Sequence, residues 1–157
     1  MEPATGSDER SIASPLSRPQ RPQELHRSFP IRPEAVRLAR TYARRALTMT
    51  SWPGDQEDAA RIVAELVKNA VEHVGSEQGE LVLDLVIAED ETLRIAVTDP
   101  SPQFPAFWSA VSAQKATGLP LIRELGGETT WRPTKDGDKK TVQVRLSPRS
   151  SQLTDSP

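Results

Sequence analysis

Apolar residues fall into two helical stripes and several alternating runs. From Asp55 to Val74, the residues Ala59, Ala60, Val63, Leu66, Val67, Ala70, Val71 and Val74 recur at helical spacing, which predicts one amphipathic helix with a buried face. Asp55 is suited to be its N-cap, after a turn over Thr50 to Gly54. A second helix is predicted over Pro33 to Thr48, with Pro33 in the first turn, where its missing amide costs nothing. Its stripe is Val36, Ala39, Tyr42, Ala43, Ala46 and Leu47, and Arg37, Arg40, Arg44 and Arg45 make a cationic face. Charge of this kind on a helix is more often solvation than a partner site.

Between and after the helices the period changes to two. Leu81, Leu83, Leu85 and Ile87 alternate with Val82, Asp84 and Val86, and after Glu89-Asp90-Glu91 the residues Leu93, Ile95 and Val97 return, which predicts an antiparallel hairpin. Asp99 closes the second of these strands. The next residues, Pro100-Ser101-Pro102-Gln103-Phe104-Pro105, cannot be regular, because three prolines remove donors and hold the chain extended. A short helical turn is expected between Phe104 and Lys115. A further helix starts at Thr117-Gly118-Leu119-Pro120 and stops at Gly126-Gly127. Glu128 to Arg132 and Thr141 to Leu146 read as strands, and Asp136-Gly137 signals a two-residue turn between them. Leu25 to Ile31 reads as an edge strand, which Pro30 suits. Helices and hairpins without regular βαβ alternation predict an α+β two-layer sandwich, with helices on one face of a mostly antiparallel sheet.

Composition narrows the class. A chain of 157 residues suits one domain. Met1 to Glu24, with four prolines and few aliphatics, is expected to be a disordered leader. Residues 25–147 form the domain, and 148–157 a polar flexible tail. The net charge of -2 gives no basic field to attract nucleic acid or an anionic membrane. The absence of cysteine excludes disulfides, thiolate metal sites and cysteine nucleophiles. No run approaches the roughly 20 apolar residues of a membrane span, and Met1 to Gln23 lacks a signal-peptide core. A cytoplasmic location is expected.

The candidate chemistry lies on the first-mentioned helix. Glu65, Asn69 and His73 are four apart, so their side chains stack on one line beside the apolar stripe. A carboxylate can take a proton from a nucleophile, an amide oxygen can ligate Mg2+, and an imidazole can contact phosphate. Taken alone, such a column is more often a solvated polar row.

Context changes that balance. A Glu-x-x-x-Asn-Ala box at Glu65 to Ala70, an Asp ending a strand two strands later at Asp99, Gly118-Leu119 before a helix and a Thr on the final strand occur in that order. Together they resemble the GHKL (histidine kinase/Hsp90-like) ATPase superfamily, and most of all its small actinobacterial anti-sigma-factor serine kinases. The resemblance covers roughly His26 to Leu146. It implies the Bergerat-type ATP-binding fold and the cofactors ATP and Mg2+. It also implies Glu65 as catalytic base and Asn69 as the Mg2+ ligand. The same resemblance assigns nucleotide contacts to His73, Asp99, Ser101, Gly118, Leu119 and Thr141, with Asp99 on the adenine amine and Thr141 supporting the same pocket. A sigma factor and an anti-sigma-factor antagonist are the implied partners, and a homodimer is a further implication.

The chain also departs from that pattern. The usual Asp-x-Gly-x-Gly is Asp99-Pro-Ser101-Pro-Gln103, and the second glycine box keeps only Gly118. Lost glycines restrict close approach of backbone to nucleotide. Two functions follow: a kinase that phosphorylates a serine of the antagonist with Mg-ATP, or a catalytically weak or inactive binding module on the same fold that sequesters a regulator. A DNA-binding regulator ranks last, given the charge and the want of a recognition helix.

Overall fold

In the computed structural model, which describes residues 20–74, 79–100 and 119–148, the elements follow one another as β1 (Gln23–Pro30), α1 (Glu34–Met49), α2 (Gln56–Val74), β2 (Glu80–Ile87), β3 (Leu93–Asp99), α3 (Leu119–Glu124), β4 (Glu128–Pro133) and β5 (Lys140–Leu146). The strands form one sheet in the order β1-β2-β3-β5-β4, each neighbouring pair antiparallel. This is the predicted α+β architecture. β1 lies at one edge, as its proline suggested, and β3 lies at the centre between β2 and β5. No described helix is long and apolar enough to cross a membrane.

Period-two patterning fixes which face of the sheet is covered. Leu81, Leu83, Leu85 and Ile87 of β2, Leu93, Ile95 and Val97 of β3, and Val142, Val144 and Leu146 of β5 are all buried, each side chain contributing about 1.5–3 kcal/mol by leaving water. They join the helix residues Leu47, Ile62, Val63, Leu66 and Val67 in one core. The opposite face is polar and half-exposed. There His26 Nδ1 meets Asp84 Oδ1 at 2.8 Å across β1 and β2, and Thr98 Oγ1 meets Thr141 Oγ1 at 2.8 Å across β3 and β5.

The helix pair is joined by a short, well-bonded turn. α1 buries mostly alanine, at Ala35, Ala39, Ala43 and Ala46, and small side chains let helix axes approach closely. At its C-terminus, the Thr50 amide donates to the Ala46 carbonyl at 3.0 Å and the Thr50 hydroxyl donates to the same oxygen at 2.8 Å, which satisfies groups that a helix end leaves open. Trp52 is buried in the turn and donates its indole N–H to the Glu91 carbonyl at 2.7 Å. α2 then opens as expected, the Asp58 amide donating to Asp55 Oδ1 at 2.9 Å.

Two expectations need correcting. Order begins before residue 25: the Arg21 side chain is 5 % exposed, its Nε donating to Glu91 Oε1 at 3.0 Å and its Nη2 to the Thr50 carbonyl at 2.9 Å, and Gln23 and Glu24 already belong to β1. Three hydrogen bonds from the Arg21 guanidinium, to Glu91, Gln23 and the Thr50 carbonyl, outweigh a proline-rich composition at this point. The connection from β4 to β5 is also longer than two residues. It runs from Thr134 to Lys139, with the Thr134 amide donating to the Lys139 carbonyl and the Gly137 amide to the Thr134 carbonyl, each at 2.9 Å, and Gly137 takes φ 78° inside it. The leader over residues 1–19, the expected turn between Phe104 and Lys115, and the tail from 149 lie outside the described residues.

Candidate functional site

The polar column sits on the helix that packs over the centre of the sheet. α2 lies against β3 and α3, and its stripe Ile62, Val63, Leu66, Val67 and Ala70 is buried to 2 % exposure or less. Glu65 and Asn69, off that stripe, are half-buried. One turn separates them, so a carboxylate and a carboxamide are held by a helix that its own core contacts keep from rotating. His73 follows in the last turn of α2, and its side chain lies outside the described residues, as do Ser101, Gly118 and the side chain of Leu119, which opens α3.

Asp99 ends β3 on the helix-covered face, with the parity of Leu93, Ile95 and Val97, and is 1 % exposed. Its partner lies on β5. Lys140, directly opposite it on β5, is fully buried and donates from Nζ to Asp99 Oδ2 at 2.9 Å. An ammonium and a carboxylate removed from water each need the other to offset lost hydration. The signal was available in the sequence: Lys140 shares its parity with Val142, Val144 and Leu146, so a cation stands in an otherwise apolar inward row.

Thr141 is a correction. Sequence reasoning put it in the pocket of Asp99, yet it stands in register with Thr98 and bonds to the hydroxyl of that residue on the outer face. Successive strand residues point to opposite faces, so Asp99 and Thr141 cannot share one side of this sheet. The position on β5 that faces Asp99 belongs to Lys140.

Whether these residues suit a magnesium nucleotide rests on their chemistry. Among the described residues no three His, Cys, Asp or Glu side chains gather into a metal cage. Mg2+ keeps waters and substrate phosphates as ligands and asks the protein for only one or two hard oxygen donors. The half-buried Asn69 side chain carries an amide oxygen of that kind.

A helix pair with a Glu-x-x-x-Asn column, laid over an antiparallel sheet whose central strand ends in a buried aspartate, is a two-layer α+β domain. The chain belongs to the family of the histidine kinase-like ATPase domain, whose model matches residues 29–146. Among solved structures, it is similar to the RsbU and RsbW domains of Rv1364c from Mycobacterium tuberculosis, with a TM-score of 0.59 and 23% identity over 80% of this chain and 32% of that one. It is also similar to a chain of the SiaB-SiaC complex from Pseudomonas aeruginosa, with a TM-score of 0.52 and 14% identity over 89% of this chain and 96% of the other. The histidine kinase AdeS of Acinetobacter baumannii gives 0.50 and 14% identity over 90% and 76%. These likenesses are of fold, and the chain spans about a third of the length of the first. No curated protein matches it in sequence.

Proposed function

We propose that the protein is an ATP-binding regulator of the anti-sigma-factor type, which binds a sigma factor and phosphorylates a serine of that factor's antagonist. The observation that carries this reading is the pairing of Glu65 and Asn69, one turn apart and half-buried, on a helix anchored over the central strand. In this scheme the Asn69 amide oxygen would hold a Mg2+ ion, which would supply charge neutralisation at the phosphates. Glu65 accepts the proton of the attacking serine hydroxyl. The bond from γ-phosphorus to the β,γ-bridging oxygen breaks, a serine Oγ–phosphorus bond forms, and ADP leaves. A homodimer belongs to the same reading. Its support is the family match and the fold shared with the RsbW domain and with the SiaB-SiaC chain.

A second reading has an observation of its own. Lys140 Nζ already engages Asp99, and the two glycines expected after Asp99 are absent, which together favour a sequestering module with weak or no catalysis. Calorimetric titration with Mg-ATP separates the two. The kinase reading expects saturable binding that Asn69→Ala weakens, and phosphotransfer that Glu65→Ala abolishes while binding persists. Absence of wild-type binding at millimolar nucleotide would falsify it in favour of the module.

A further inference from the structure

The four arginines of α1 divide into two pairs. Arg44 donates to both carboxylate oxygens of Glu57 on α2, at 2.7 Å from Nε and 3.2 Å from Nη2, and Arg40 approaches the same carboxylate at 3.8 Å. That pair ties one helix to the other. Arg37 and Arg45 point the other way, into a groove of about 390 Å3 between α1 and β1, and neither has an ion pair with any described residue. Arg27 of β1 completes the set from the facing wall. Its guanidinium stacks over Tyr42 at 5.3 Å and lies 5.8 Å from the centre of Phe29, which holds the cation at the groove without neutralising it.

Spacing supplies the shape of the occupant. Arg37, Thr41 and Arg45 lie on one row at intervals of four, so the outer two are about 12 Å apart along the helix axis. An extended peptide places side chains of one face about 6.7 Å apart, so carboxylates at its alternate positions match Arg37 and Arg45 with one more between them, beside Thr41. Leu38, 43 % exposed and also in the groove, offers contact to an apolar side chain of the same segment. We propose that this groove receives an extended acidic segment of a partner protein, with alternate carboxylates on Arg27, Arg37 and Arg45. A duplex or a membrane fits less well. The three cations converge in a concavity between α1 and β1, and the net charge of -2 gives no basic field beyond it to hold a broad polyanion.

The test uses the full chain and a fluorescein-labelled peptide of alternating glutamate and valine, eight residues long to match β1, read by fluorescence anisotropy. Wild type is expected to bind it with an affinity that falls as salt rises. Arg37→Glu with Arg45→Glu is expected to weaken binding about tenfold, because two attractions become repulsions. Arg40→Gln with Arg44→Gln, on the same helix, is expected to leave it intact. Thermal melts by circular dichroism verify the fold of both variants, and an unchanged Mg-ATP titration of Arg37→Glu with Arg45→Glu keeps this site distinct from the nucleotide site. No peptide binding at millimolar concentration, equal binding of a lysine-valine peptide, or full affinity in Arg37→Glu with Arg45→Glu overturns the proposal. So does preferential binding, through these same arginines, of phosphatidylserine vesicles or of a single-stranded oligonucleotide.

Discussion

Lys140 and Asp99 face one another across the two central strands with Nζ and Oδ2 2.9 Å apart, and neither side chain is more than 1 % exposed. Removing one partner of such a pair strands the other charge in the core. Lys140→Met and Asp99→Leu should each cost about 3–5 kcal/mol. The double substitution should cost much less than their sum, because the apolar pair leaves no charge unmatched. Urea denaturation of the four proteins measures the coupling directly, and additive losses would remove the ion pair from the account of stability.

The outer face gives a contrasting expectation. Thr141→Val breaks the hydroxyl pair with Thr98 at a cost of about 1 kcal/mol. Since Thr141 faces away from the helices, its loss should leave Mg-ATP affinity unchanged. A large drop in nucleotide affinity in a protein that still melts normally would put the threonine back in the pocket.

The turn between the helices is a tight fit around Trp52. A methyl group added at Gly54 would overlap the Trp52 ring carbons Cη2, Cζ2 and Cζ3, so Gly54→Ala must displace a ring that is 2 % exposed and bonded to Glu91. A destabilisation of about 1–3 kcal/mol is expected, and Trp52→Ala should cost about 3–5 kcal/mol through the cavity it leaves. Tryptophan emission together with the denaturation midpoint reads both, and a red-shifted spectrum should accompany the Gly54→Ala loss.

The contact between the helices makes a pH-dependent contribution. The hydrogen bond from Arg44 is the main influence holding the Glu57 carboxyl below its ordinary range, with the charges of Arg44 and Arg40 adding to it. A carboxyl depressed in the folded state stabilises it above the unfolded pKa, and that contribution is lost as pH falls through the folded one. Glu57→Gln should therefore lower Tm relative to wild type at neutral pH, with the gap narrowing from about pH 4 downward. A gap of equal size at pH 7 and pH 3 would assign the effect to packing. Desolvation moves neighbouring Asp58 the opposite way, so its contribution should be measured separately with Asp58→Asn.

Much of this was legible because each element carried its own period. The alternation of Leu81 to Ile87 and of Leu93 to Val97 dictated which side chains would be covered, and Asp55 announced the start of α2 through a side chain that bonds three residues on. The order of strands was less accessible. β5 inserts between β3 and β4, a pairing between distant segments on which local patterning says nothing. That neighbour relation decides the face-to-face partner of Asp99. The inward parity of Lys140, and not the residue type at 141, decides which side chain meets Asp99. The division of the α1 arginines was also hidden, since four like charges on one helix look alike until a carboxylate from α2 claims two of them.

The pairing of β3 with β5 joins positions 41 apart in the chain, which has a consequence during synthesis. At about 5–20 residues per second, a ribosome takes about 2–8 s to deliver Lys140 after Asp99. Over that interval the nascent sheet has an open edge at its future centre, and the acid at its end waits for this counterion. Chains truncated ahead of Lys140 should accordingly be cut quickly by protease where the finished protein resists.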